Sequence, residues 1–166
     1  MNHCCRLGSL SRRTGDILGL GDGDLDQLNR LAVMHDVGKL MIPRKILSKR
    51  GPLSREEWAI MEKHPEIGYH IAEAFPALND ISEAILSHHE WYDGSGYPRG
   101  LQGKEIPLIS RIVAVVDAYD AMTSGRPYRP GMAQDLALDE LERCAGTQFD
   151  PLVVSAFFLV LSSPGE

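Results

Sequence analysis

The chain has 166 residues, 43% hydrophobic and 24% charged, a balance that suits one globular domain around a single core and excludes a disordered segment. The formal net charge of −6 argues against a broad basic surface for non-specific nucleic-acid binding, yet leaves room for a small anionic ligand held by local cations. The apolar run from Phe157 to Leu161 is too short to span a bilayer, and the start, Met1-Asn2-His3-Cys4-Cys5-Arg6, lacks the apolar stretch of a signal peptide. Membrane insertion is therefore not expected, and the default location is cytoplasmic. The three cysteines contain no CxxC pair and suggest neither a disulfide framework nor a zinc knuckle.

In chain order the pattern is helical throughout. A first helix runs to about Leu18 and stops at the glycine-rich residues 19–23. Asp24 with Gln27 resembles a capping box, opening a helix that carries Leu25, Leu28, Leu31, Ala32 and His35 on one stripe before Gly38 and Pro43 end it. Ser54 with Glu57 is a second such box, opening a helix towards His64. Pro65 suits the start of another, running to Phe75. Asn79 or Asp80 is the expected cap of the next, which ends near His89. Residues 93–107 read as a Gly- and Pro-rich loop, and Pro107 begins the clearest helix, with Ile109, Ile112, Val113 and Val116 at helical spacing. Two shorter helices are expected near residues 134–143 and 151–161. The β-branched run at residues 112–116 is too short to compete as a strand. The expected fold is all-α, one domain over residues 1–166 with the last few residues as a tail.

The polar residues carry the functional signal. His35 continues the stripe of Leu28, Leu31 and Ala32. His88 stands in the same relation to Ile81, Ala84 and Ile85. His3 leads into Leu7 and Leu10, and His64 follows Ile60 and Met61. Asp117 and Asp120 lie four residues after Val113 and Val116. A single inward histidine is usually a hydrogen-bonded core residue, and a single inward aspartate is usually a cap or half of an ion pair. Five histidines and two or three aspartates arriving from separate helices point instead to a cation that compensates buried carboxylates and orders imidazoles. Imidazole with carboxylate and no thiolate suits iron or manganese, and zinc less distinctively. Seven candidate ligands exceed the needs of one ion, so two are expected.

Four segments then resemble one family. His35-Asp36-Val37-Gly38-Lys39 is similar to the His-Asp doublet of the HD superfamily. The run from His88-His89-Glu90 through Gly96-Tyr97-Pro98 resembles the segment that names its HD-GYP branch. Asp117-Ala118-Tyr119-Asp120, with Arg126-Pro127-Tyr128-Arg129, and the closing Gly146-Thr147-Gln148-Phe149-Asp150-Pro151 complete the likeness. The resemblance implies a bundle of about seven helices around a bi- or trinuclear centre, often iron. It also implies a phosphodiesterase that hydrolyses c-di-GMP to linear pGpG by a metal-bridging hydroxide, with a second cut to GMP left open. The implied ligands are His3, His35, Asp36, His64, His88, His89 and Asp117, with Asp36 a bridge and catalytic together with Lys39. Lys39, Tyr97, Arg126 and Arg129 are the implied substrate contacts, and Asp120 is expected near the substrate. The acidic residue that some three-metal members carry one turn before His3 would precede Met1, so two ions are favoured over three. His70 matches no family position and is expected on the surface or packed structurally. Expected partners are c-di-GMP and a sensory or receiver domain or a diguanylate cyclase, with a homodimer conceivable and no DNA. The alternatives are an HD phosphohydrolase for another nucleotide and a non-catalytic c-di-GMP-binding or partner-docking module.

Overall fold

The computed structural model describes residues 3–124 and 131–162, with side chains from Cys5 onward. The described residues form α1 (His3–Ile17), α2 (Asp22–Met34), a single turn α3 (Arg44–Leu47), α4 (Arg55–Met61), α5 (His64–Ala74), α6 (Ser82–Leu86), α7 (Leu108–Thr123), α8 (Gln134–Arg143) and α9 (Pro151–Ser162). Tight 3₁₀ turns at Val37–Met41, Asn79–Ile81 and Gly103–Glu105 link them. No strand occurs among the described residues, only an isolated bridge between Ala145 and Phe149. The all-α expectation holds.

Helix α7 is the central post, packing against α1, α2, α6, α8 and α9. Its β-branched residues Ile112, Val113, Val115 and Val116 are fully buried and helical. Around them lie Leu7, Leu28, Leu31, Ile85, Leu141 and Phe157. Each such side chain removed from water contributes about 1.5–3 kcal/mol, enough to override the weak strand preference of the run. Polar ties fix the register: Ser110 Oγ donates to the Ala84 carbonyl at 3.0 Å, joining α7 to α6, and Arg6 of α1 pairs with Asp120 and Ser124 at the far end of α7.

The capping box of α4 is complete, with both the Ser54 and Glu57 side chains engaged, and Pro65 lies in the first turn of α5. Two expected starts differ. Helix α2 opens at Asp22 behind Gly21 with no side-chain cap, and Asp22 and Asp24 in its first turn face the positive end of the helix dipole. The segment expected to start at Asn79 or Asp80 begins as a 3₁₀ turn, because the Asp80 carboxylate is taken by Arg30 (2.9 Å from Nη1 to Oδ1) and Gln27 (3.3 Å) of α2.

Candidate metal centre

The centre forms where α2 ends, α5 begins and α6 ends. His35 still donates its backbone N–H to Leu31 at 2.8 Å, and the chain then tightens into the turn Val37–Met41. Gly38 makes that turn possible. A Cβ there would lie 1.9 Å from the His64 carbonyl oxygen and 2.7 Å from the Gly68 nitrogen, so the turn rests directly on the backbone of α5. Gly68 in turn leaves room for Ile85 of α6, whose Cγ2 would be 2.8 Å from an added Cβ. Two missing side chains thus bring His35 and Asp36, His64, and the His88–His89 pair to one point.

Three of the imidazoles are oriented in the same way. Nδ1 of His35, His64 and His88 meets the carbonyl oxygen three residues back, at Ala32 (3.2 Å), Met61 (2.8 Å) and Ile85 (2.5 Å). A carbonyl can only accept, so Nδ1 carries the proton and Nε2 presents a bare lone pair, the state in which histidine binds metals. Nε2 of His64 is 3.2 Å from that of His88 and 3.1 Å from that of His89. Asp36 Oδ1 lies 3.4 Å from His64 Nε2 and 3.9 Å from His88 Nε2. His35 Nε2 stands 3.7 Å from Asp36 Oδ2 and 4.0 Å from Asp117 Oδ1. Ligand atoms of Asp36, His64, His88 and His89 all fall within 4.8 Å of one another.

Lone pairs facing lone pairs repel unless a cation sits among them. Among the described residues, buried His35 Nε2 and Asp36 Oδ1 have no hydrogen-bond partner, an arrangement that buried polar atoms rarely tolerate. Burial, reinforced by the neighbouring imidazoles, holds His88 well below the usual histidine pKa and His89 at about 3, so both are neutral at pH 7. Burial alone would raise the Asp36 carboxyl, but His64, His35 and Lys39 outweigh it and keep it far below the usual range. Neutral imidazoles, an ionised carboxylate and orphaned inward atoms fit a divalent metal.

Around this cluster, Lys39 Nζ donates to Asp36 Oδ2 at 2.7 Å. Tyr97 stacks on His89 with ring centroids 5.0 Å apart, and burial raises its phenol pKa. Its loop folds back tightly: the Tyr97 N–H donates to the His89 carbonyl, and a Cβ on Gly96 would lie 2.1 Å from the Trp91 nitrogen. Buried Glu90, which sequence reading did not single out, fastens the loop by accepting the backbone N–H groups of Arg99 (2.7 Å) and Leu101 (3.0 Å). A cavity of about 210 Å³ opens beside the cluster, lined by His35, His88, His89 and Asp117 together with Trp91 and Gln148.

The structure therefore brings together His35, Asp36, His64, His88 and His89, with Asp117, Lys39 and Tyr97 beside them. Asp120 is fully buried, its carboxylate bound by Arg6 and Ser124. His3 lies in the first turn of α1, its side chain outside the described set, and Arg126 and Arg129 lie outside the described residues. His70 is exposed, its Nδ1 3.5 Å from Glu73.

The profile of a family described as HD domain matches residues 1–153. The chain belongs to the HD domain family. Among curated relatives, it is 43% identical over 157 residues to a cyclic di-GMP phosphodiesterase of Thermotoga maritima, covering 93% of this chain and 43% of that protein. It is 40% identical over 153 residues to a cyclic di-GMP phosphodiesterase response regulator of Xanthomonas campestris, covering 91% and 40%. A 3′3′-cGAMP-specific phosphodiesterase of Vibrio cholerae is 37% identical over 154 residues, covering 92% and 30%. The chain thus spans less than half the length of these relatives. A solved cyclic GMP-AMP-specific phosphodiesterase of Vibrio cholerae shares the fold at TM-score 0.78 and 20% identity, covering 98% of this chain and 44% of that one. The HD-domain assignment implies divalent metal binding, in keeping with the His/Asp cluster. No helix among the described residues is long and apolar enough to cross a membrane.

Proposed function

We propose that this HD domain is a metal-dependent cyclic di-GMP phosphodiesterase that opens c-di-GMP to linear pGpG, with GMP as the alternative end product. The observation that supports this most is the meeting of the Nε2 atoms of His64, His88 and His89 with the Asp36 carboxylate, beside two buried polar atoms, His35 Nε2 and Asp36 Oδ1, that have no partner among the described residues. Two relatives at 40% identity or more bear that activity in their names. His35, Asp36, His64, His88, His89 and Asp117, with His3, would hold two divalent ions, iron or manganese, rather than three. When bound, such ions supply Lewis acidity towards phosphoryl oxygens and lower the pKa of water towards neutrality.

The chain's own groups do the rest. Asp36, central to the cluster, supplies the anionic charge that neutral imidazoles lack. Lys39, one turn beyond His35, is placed to release Asp36 and hold a phosphoryl oxygen as charge builds there. Arg126 and Arg129 would grip the second phosphate, a match of guanidinium to phosphate geometry. Tyr97, kept over His89 by the latched loop, would close the site against bulk water. Asp120 would act through Arg6, holding α1 and hence His3 near the end of α7. Residues 1–166 would form one catalytic domain serving a sensory or receiver domain or a diguanylate cyclase.

A second reading has a specific observation in its favour. The relative specific for 3′3′-cGAMP is 37% identical over nearly the same span, so a mixed cyclic dinucleotide is the rival substrate. Anaerobic purification, metal analysis and incubation with each dinucleotide under ferrous or manganous ion test both readings. Metal-dependent release of linear dinucleotide or GMP, abolished by chelation, is the expected result. Tight binding without turnover would replace the enzyme with a sensor.

A further inference from the structure

We infer that the cavity between Trp91 and Gln148 is a nucleobase subsite, with Gln148 the residue that reads the base edge; the inference rests on the cyclic-dinucleotide reading above. The cavity shares His35, His88 and Asp117 with the metal cluster, so whatever occupies it lies against the reacting phosphate. Two further lining residues have a different chemistry. Trp91 lines it and is 40% exposed, a large aromatic side chain left open to solvent. Half-buried Gln148 lines the cavity too, and its carboxamide makes no hydrogen bond among the described residues although its main chain is engaged by Tyr92 and Cys144. Glu90, which also lines the cavity, is committed to the Arg99 and Leu101 backbone.

An exposed aromatic side chain beside an uncommitted amide matches a neutral heteroaromatic ring better than a phosphate or sugar. Stacking on an aromatic side chain tolerates any base, whereas an amide both donates and accepts and so can pair with either purine edge. Trp91 therefore supplies affinity and Gln148 supplies discrimination, with the amide able to turn over and serve guanine or adenine. The segment holding Gln148 is fixed to the loop that follows His89 by two backbone bonds, Tyr92 N–H to the Gln148 carbonyl (3.2 Å) and Asp93 N–H to the Thr147 carbonyl (2.9 Å).

The test compares metal-loaded wild-type, Trp91→Ala, Trp91→Phe, Gln148→Glu and Gln148→Leu proteins on c-di-GMP, c-di-AMP and 3′3′-cGAMP. Trp91→Ala should raise KM about tenfold on all three with metal content unchanged, and Trp91→Phe should restore most of it. Gln148→Glu can only accept, so it favours the N1–H and N2–H₂ edge of guanine; the kcat/KM ratio for c-di-GMP over c-di-AMP should rise about tenfold, whereas Gln148→Leu should lower both. Trp91→Ala within about twofold of wild type, with an unchanged ratio in Gln148→Glu, overturns the subsite. A readout without turnover separates the two levels. Trp58 and Trp91 are the chain's two tryptophans, so in Trp58→Phe the remaining indole reports the cavity. Saturable quenching by GMP and AMP, weakened by Gln148→Leu, in a protein that cleaves no dinucleotide would keep the subsite and remove the phosphodiesterase reading. Turnover with no quenching would do the reverse.

Discussion

Asp36 and Lys39 form a pair whose members can be separated by experiment. Their side chains meet at 2.7 Å, and both are only part-buried, so neither is there for core packing. Replacing Asp36 with Ala removes the central anion. The metal content and turnover of the purified protein should fall together, measured by elemental analysis and by product release. Lys39→Met should behave differently, retaining metal while kcat/KM drops about 10–100-fold, the worth of one charge-assisted hydrogen bond. Loss of metal in the lysine variant would make Lys39 a support for Asp36 rather than a phosphate contact. At this scale the sequence was legible where a residue's neighbours on its own helix betray it. His35 and His88 continue buried stripes, and each fills a place that an apolar side chain would otherwise take. Glu90 left no such trace. Its partners are backbone N–H groups nine and eleven residues ahead, and a backbone donor is the same whatever residue carries it. Gln148 escaped for a related reason, since its significance comes from a cavity wall assembled by two distant loops.

Between the residues and the whole molecule stand the elements that carry ligands to one point, and two of their junctions are sharp enough to test. Gly38→Ala forces a methyl group to within 1.9 Å of the His64 carbonyl, a backbone atom that cannot swing aside. The turn must lift from α5, at a cost of about 3 kcal/mol in urea unfolding, and His35 and Asp36 must lift with it, so metal retention should fall even in the folded fraction. Unchanged stability would mean the turn can slide along α5 without loss. Glu90→Ala removes the acceptor of two buried N–H groups and should destabilise by about 1–3 kcal/mol, with faster hydrogen exchange across residues 94–101. Element boundaries were legible in the sequence where capping was local. The Ser54–Glu57 box and the Gln134–Arg143 helix stand where the pattern set them, and Pro107 immediately precedes α7. They were illegible where a side chain that looked like a cap was claimed from elsewhere, as Arg30 and Gln27 claim Asp80. Breaking the expected second helix into α2 and a 3₁₀ turn was equally hidden, because its cause is contact with α5 rather than any breaker before Gly38.

At the scale of the molecule, the same lone pairs that fit a metal are a defect without one. The helices bearing His35, His64 and the His88–His89 pair are drawn together by core residues such as Leu31, Ala72 and Ile85, and that packing holds the imidazoles closer than they would settle alone. Stability and metal loading should therefore be linked. A cation that binds the folded chain and not the unfolded one stabilises it by about 2.7 kcal/mol when its free concentration is a hundred times its dissociation constant. Calorimetric scans of the chelated protein should show a lower Tm that climbs with added ferrous or manganous ion and does not climb with magnesium, which prefers oxygen ligands. His64→Ala offers the control. His64 is buried and central to the cluster, so the variant loses part of the site and should lose most of the metal-induced rise. Its chelated form should stay close to the chelated wild type, because a small gap replaces a repulsive contact. A full metal response in His64→Ala would place the ion elsewhere in the molecule. A chelated variant far less stable than chelated wild type would make His64 a packing residue first and a ligand second.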